Sequence, residues 1–291
     1  MATYNDFRQT WLWRRAFVDQ REDASEAEQE FFRTQFLQMR DKAAQLVTRI
    51  STDLPGMTVH DVTHLDALWD TASLVSEDSI DLNPTEAFVL GASILLHDAG
   101  MSLAAFPNGL SDVRETLVWK DTVARYLANL KVDGKAVPDP EALSTEFERQ
   151  IVPDVLRRLH AEKAEQLADQ SWEMGGIRYH LIDDPELRSF YGPTVGQIAH
   201  SHWWPVSKVE TELNSDLGAF APRTQHVVDK VKLACMLRVA DAIHRQSQSA
   251  EVHQGDNPAT RRFRTSLVVP GTLGSTAQGS RQGCLHSWTA F

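Results

Sequence analysis

Only two cysteines stand in the 291-residue chain, Cys235 and Cys284. They are too few and too far apart for a disulfide framework or a cysteine zinc site, and a reducing cytoplasm is the simplest setting for such a sequence. A long apolar run is also missing. The longest, around Ala87 to Leu96, is too short to span a bilayer, and the start of the chain, MATYNDFRQTWLWRRAF, lacks the basic, apolar, small-residue order of a secretion signal. A cytoplasmic protein with no membrane partner is expected. Cations are in the minority, 29 Lys and Arg against 40 Asp and Glu, for a formal charge of −11. An acidic surface repels phosphate backbones, so broad nucleic-acid binding is not expected. Runs of alternating polar and apolar residues are absent, as are internal repeats.

Helical periodicity is present almost throughout. From Ala24 to Ile50, apolar residues recur at spacings of three and four, including Phe32, Phe36, Met39, Ala43 and Leu46. Pro55 and Gly56 break that helix. A second start is read at Thr58, with Asp61 three residues later in capping-box spacing. The clearest start is Asn83 as N-cap, Pro84 at the first helical position and Glu86 behind it. The helix that follows, TEAFVLGASILLHD, is apolar nearly all round and so is expected to be central and buried. Further helices are expected at about 111–131, 144–170, 184–201, 205–213 and 222–247, with an irregular segment and a glycine turn in SWEMGGIRYHLIDDP. The fold class is therefore all-α, a compact helical bundle. Residues 1–57 are expected as N-terminal helices packing on the core, 58–247 as the main domain, and 248–291 as a poorly ordered tail. The tail, rich in Gly, Ser, Thr and Gln, reads as the stub of a longer chain or as out-of-frame coding.

The 11 histidines carry the chemistry. His60 and His64 share a helix face at i, i+4. His97 and Asp98 end the buried helix, His160 lies within VLRRLHAEKAEQLA, His200 and His202 end VGQIAHSH, and Asp241 sits late in MLRVADAIHRQ. Taken singly, each reads as an ordinary core or surface residue. Together they place imidazoles and carboxylates in apolar helical contexts, where isolated charges would cost several kcal/mol. A shared divalent cation removes that cost, and this donor set suits Mn, Fe, Co, Ni or Zn.

The order His64, His97-Asp98, Asp241 resembles the H…HD…D signature of the HD superfamily of metal-dependent phosphohydrolases. ASILLHDAG is similar to that superfamily's apolar helix ending in HD, and LRVADAIH to its last-aspartate helix, so the resemblance spans about Thr58 to His244. It implies an HD/phosphodiesterase-type bundle and hydrolysis of a nucleotide or other phosphoester by a metal-activated hydroxide. VHDVTHLDAL is similar to the H-N-x-x-H-x-x-D-V motif of class I cyclic-nucleotide phosphodiesterases, with Asp61 where those enzymes have Asn. By that likeness His64 is a ligand and His60 the proton donor to the leaving oxygen.

Additional histidines that bind a second metal in many HD proteins correspond to His160 and His200, with His202 as the competitor for His200. The implied set is His64, His97, Asp98, His160, His200 and Asp241 around two divalent ions (Mn, Fe, Co, Ni, Zn or Mg), with Asp98 as bridge. Arg157, Arg238 and Arg245, near these ligands in sequence, are candidate phosphate-binding residues, and Arg158 stands beside them. Phe106 and the Trp203–Trp204 pair are either base-stacking or core residues. RRLHAEKAE and LRVADAIHR further resemble a bacterial subgroup in which an HD domain precedes a GHKL-type ATPase domain, which implies an ATPase domain or subunit as partner. No such ATPase motif occurs in this sequence. Other readings of the same ligands are a nucleotide sensor with little turnover, a single-strand nuclease, and a di-iron oxygenase.

Overall fold

The computed structural model describes residues 6–54, 61–77 and 79–255, excepting the side chains of Met174 and of residues 247–255. Thr58, Pro55, Gly56 and the tail from 256 onward lie outside the described residues. Among those described, eleven α-helices and one β-hairpin occur. In chain order the first helices are α1 (Trp11–Phe17), α2 (Glu26–Val47), α3 (Ile50–Asp53), α4 (Val62–Ser76) and α5 (Pro84–Leu96). Then come α6 (Leu110–Glu115), α7 (Leu117–Val132), α8 (Thr145–Leu167), α9 (Pro185–Ser201), α10 (Val206–Glu212) and α11 (Lys230–Gly255). The class is all-α, with the small hairpin β1 (Ser171–Met174) and β2 (Ile177–His180) between α8 and α9.

Helix α5 is the axis of the bundle. Every one of its residues is buried, and α2, α4, α9 and α11 pack around it. Its start follows the sequence: the Asn83 side chain accepts from the Glu86 amide at 2.9 Å, and Pro84 occupies the first turn. Glu86 does not close a capping box. Its buried carboxylate instead accepts from the Asp229 amide at 3.1 Å and the Lys232 ammonium at 2.7 Å, which pins the start of α11 to the start of α5.

Four expectations are corrected. Helix α4 starts at Val62, with Asp61 as its N-cap accepting from the Thr63 amide at 2.8 Å; Asp61 thus has a capping use. The helix expected at 111–131 is two helices, because Thr116 turns extended and caps α7. The segment expected to be irregular forms an antiparallel ladder with Ser171 opposite His180 and Met174 opposite Ile177. Its turn residues Gly175 and Gly176 both have positive φ, 59° and 79°, as a two-residue hairpin turn requires. The last helix begins at Lys230 rather than 222, after an isolated bridge between Leu217 and Val228.

The N-terminal helices share the central core. Trp13 packs on Phe17, Phe36 and Trp69 with ring centroids 4.9, 5.5 and 6.3 Å apart, and the Trp69 indole donates to Thr10 Oγ1 at 3.0 Å. No helix among the described residues is long and apolar enough to cross a membrane.

Helices α8 and α9 meet closely at Gly196, where an added Cβ would lie 2.2 Å from the Glu165 carbonyl oxygen. Alanine normally favours a helix over glycine by about 1 kcal/mol. Here the obstacle is rigid backbone, so overpacking, typically about 1–3 kcal/mol, wins. Gly196→Ala should therefore lower the unfolding free energy by about 1–2 kcal/mol. A urea midpoint equal to or above wild type would show that the two helices can move apart freely.

Candidate metal centre

Four helix ends or helix faces converge on Asp98. His97 caps the C-terminus of α5 and Asp98 follows it. His64 comes from the first turn of α4, His160 from α8, and His202 from the C-cap of α9. His64, His97, Asp98 and His160 are all buried. The Asp98 carboxylate is divided between two pairs of imidazoles. Oδ2 lies 3.1 Å from His97 Nε2 and 3.7 Å from His64 Nε2. Oδ1 lies 3.6 Å from His160 Nε2 and 3.8 Å from His202 Nε2. Two donor clusters result, His64–His97–Asp98 and Asp98–His160–His202, each with its ligand atoms within 4.8 Å of one another.

Backbone carbonyls orient three of the rings. The Nδ1 atoms of His97, His160 and His202 lie 2.8, 2.6 and 2.5 Å from the carbonyl oxygens of Ile94, Arg157 and Ala199, each three residues earlier. Each Nδ1 must donate there, which places a proton on Nδ1 and turns Nε2 toward the centre. His160 Nε2 and His202 Nε2 are 3.0 Å apart. Two lone pairs at that distance repel unless a cation or a proton lies between them. Buried nitrogen and carboxylate donors in this arrangement fit divalent first-row metals.

Gly100 brings α8 to this point. A Cβ there would lie 2.3 Å from the His160 carbonyl oxygen, so the backbone after Asp98 presses directly on the His160 backbone. Close approach, rather than a freely turning chain, is why glycine is needed.

Asp241, on α11, is buried, and its carboxylate takes an ion pair from Arg245 Nη2 at 2.7 Å. Its charge also reaches His97. Burial acts to lower the His97 pKa, but the attraction of Asp98, helped by its hydrogen bond and by Asp241, overcomes this and raises it to about 9. His202 goes the other way. Burial, with repulsion from His97 and His160, lowers it to about 3 despite Asp98. In the metal-free protein His97 therefore favours its cationic form beside Asp98.

His200 is not brought to the centre. Its Nδ1 meets Glu165 Oε2 at 2.5 Å and its ring packs edge-on to Trp204 at 5.1 Å. Residues two apart on a helix face nearly opposite ways, so only one of the two histidines can point inward. The buried series Tyr191, Val195, Ile198 extends at helical spacing to His202, and that periodicity was the signal that separates them. His244 was passed over. It lies three residues beyond Asp241, on the same face of α11, with its ring 4.8 Å from that of His64.

The arginines divide. Arg245 reaches the centre through Asp241 and its side chain is 57% exposed. Arg157 is exposed on the turn of α8 before His160. Arg238 is turned to the backbone: its Nη1 donates to the carbonyls of Ser201 and, at 2.8 Å, Trp204. Arg158 donates to Thr122 Oγ1 at 3.0 Å, joining α8 to α7. Phe106 is buried beneath the Lys163 ammonium, 4.9 Å above its ring. The segment after Asp98 is anchored, with the Asp53 carboxylate accepting from Ser102 Oγ at 2.9 Å and the Leu103 amide at 2.8 Å. His60 lies outside the described residues.

A metal must displace the His97 proton, so affinity should rise about tenfold per pH unit from neutrality to about pH 9 and then level off. Calorimetric titration in buffers of differing ionisation enthalpy should show about one proton released at pH 7. Pairing of His97 stabilises the metal-free fold fully below the ordinary imidazole value of 6.5, and that contribution fades as pH rises through about 9. Affinity independent of pH across this window would contradict a protonated His97. In a second test, His202→Ala should cut metal content while His200→Ala leaves it at the wild-type level, as read by elemental analysis. The opposite result would exchange their roles.

A family model described as HD-CE matches residues 54–251. No curated protein and no solved structure matches the chain.

Proposed function

The chain belongs to the HD-CE family, and we propose that it is a metal-dependent phosphohydrolase that acts on a nucleotide or other phosphoester. The divided carboxylate of Asp98 carries this reading. One oxygen faces His64 and His97 and the other faces His160 and His202. A structural salt bridge needs one cationic partner, whereas a carboxylate shared by two imidazole pairs would suit two divalent cations.

In this proposal His64, His97 and Asp98, with Asp241 nearby, would hold one divalent ion, and Asp98, His160 and His202 would hold another. When bound, such ions supply Lewis acidity and a water of lowered pKa. The remaining work falls to the chain's own side chains. Nδ1–carbonyl contacts keep the imidazoles pointed inward, so little reorganisation accompanies the reaction. Arg245 is exposed and pairs with the buried Asp241. It and the exposed Arg157 supply guanidinium donors for phosphoryl oxygens. His60, four residues before His64 in sequence, donates the proton to the leaving oxygen. Arg238 is withdrawn from the substrate-binding set, because its guanidinium holds the turn after α9. An ATPase domain or subunit as partner belongs to the same proposal and is supported only by the sequence likeness described above.

Phosphate release should require added divalent metal. Asp98→Ala should lose metal and all release while keeping its helical circular dichroism; full activity with both metals retained would end the proposal. His60→Ala should keep the metals and reduce turnover by about 10²–10⁴-fold, the usual range for a general acid. Loss of metal in that variant would make His60 a ligand instead.

A further inference from the structure

The centre described above explains how a phosphate is held and leaves the rest of the substrate open. The turn after α9 bears on that. Trp203 is 59% exposed, whereas its neighbour Trp204 is 7% exposed. The turn that carries them is fixed at several points. The Trp203 amide donates to the His200 carbonyl at 3.1 Å and the Trp204 amide to that of Ser201 at 3.0 Å. Arg238 donates to the carbonyls of Ser201 and Trp204. Trp204 is held inward by the His200 ring at 5.1 Å and the Lys208 ammonium at 4.2 Å.

Trp203 is thereby turned outward, yet it stays against the metal centre. Its ring lies 5.0 Å from the His160 imidazole at an interplanar angle of 83°, and 6.3 Å from that of His202. A perpendicular contact of this kind leaves at least one face of the indole to solvent. Exposing so large an apolar surface forgoes burial that would stabilise the fold. The lost burial is understandable if something else covers that face.

We propose that Trp203 is the stacking platform for the aromatic base of the substrate, so that the site takes nucleotides in preference to phosphoesters that lack a ring. The inference rests on the phosphohydrolase reading for where the phosphate lies, next to His160 and His202. A base stacked on Trp203 then sits beside His160 and His202. Stacking on an indole accepts any base, since each has a π-face. The expected selectivity is for nucleotides as a class, with purines ahead of pyrimidines through their larger face. Arg238 is a positioning residue for this platform.

Equilibrium dialysis of the full chain with Mn²⁺ tests this, using the four ribonucleoside 5′-monophosphates and ribose 5-phosphate as probes. Purine nucleotides should bind about tenfold or more tighter than ribose 5-phosphate, the increment usual for stacking one base. Trp203→Ala should erase that preference and leave ribose 5-phosphate binding and metal content unchanged, while Trp203→Phe should keep most of the preference. The proposal is overturned if wild type shows no preference for a base, if Trp203→Ala retains it, or if that variant weakens both ligands equally. Phosphate release measured on the same samples separates the two readings. Base-selective binding without release sinks the hydrolase and keeps the platform; release without base preference does the reverse.

Discussion

A buried carboxylate with imidazoles on both sides is the constraint around which this protein is arranged. Asp98 lies in a bundle core where an unpaired charge would cost several kcal/mol. His97, raised to a pKa of about 9, balances it when no metal is bound. That balance is local and one-sided, because His97 faces only Oδ2. The other oxygen faces His160 and His202, and His202 is held neutral by burial and by its cationic neighbours. One half of the centre therefore carries its own cation, and the other half brings the Nε2 atoms of His160 and His202 to within 3.0 Å of each other.

Holding such a centre requires helices to approach more closely than ordinary side chains permit. Gly100 lets the backbone after Asp98 touch the His160 backbone, and Gly196 does the same between α9 and α8. Those two contacts set the separation of Asp98, His160 and His202. At the opposite end of the bundle, Glu86 ties α5 to α11 through Lys232 and the Asp229 amide. Helix α5 then delivers His97 and Asp98 from its far end, and α11 delivers Asp241 about three turns along. The ligands are thus placed by helix lengths measured from a common anchor, which needs no mobile loop.

Much of this was legible in sequence, and the reasons differ by residue. The all-round apolarity of residues 84–96 announced a buried axis because nothing else tolerates such a surface. His64, His97, Asp98 and His160, which the structure brings together, stood out because polar groups in apolar helices demand an explanation. His200 was preferred to His202 because spacing along the chain was read without its rotational phase; the buried face of α9 gives that phase. Arg238 stood near Asp241 in sequence, but sequence proximity does not show that its guanidinium reaches the Ser201 and Trp204 carbonyls. The hairpin was missed because its strands are four residues each. Such short segments carry too little alternation to outweigh a helical background. Its glycine pair held the information, in the positive φ values that a tight hairpin turn needs.

The inner and outer parts of the centre have different physical duties. Imidazoles and carboxylates in the interior are fixed by backbone carbonyls and by glycine contacts, so a change of ligand there also disturbs packing. Arg245, Arg157 and Trp203 lie at the exposed side, where substitution costs little stability. Metal chemistry is indifferent to what is attached to a phosphate, since it acts on phosphoryl oxygens alone. Selectivity must then come from groups that contact the remainder of the substrate, and those groups are free to vary only where they do not support the core. Trp203 meets both conditions: it packs against His160 on one side and meets solvent on the other. The same rigid turn that buries Trp204 turns Trp203 outward, so packing of the core and presentation of the exposed indole arise from one backbone conformation.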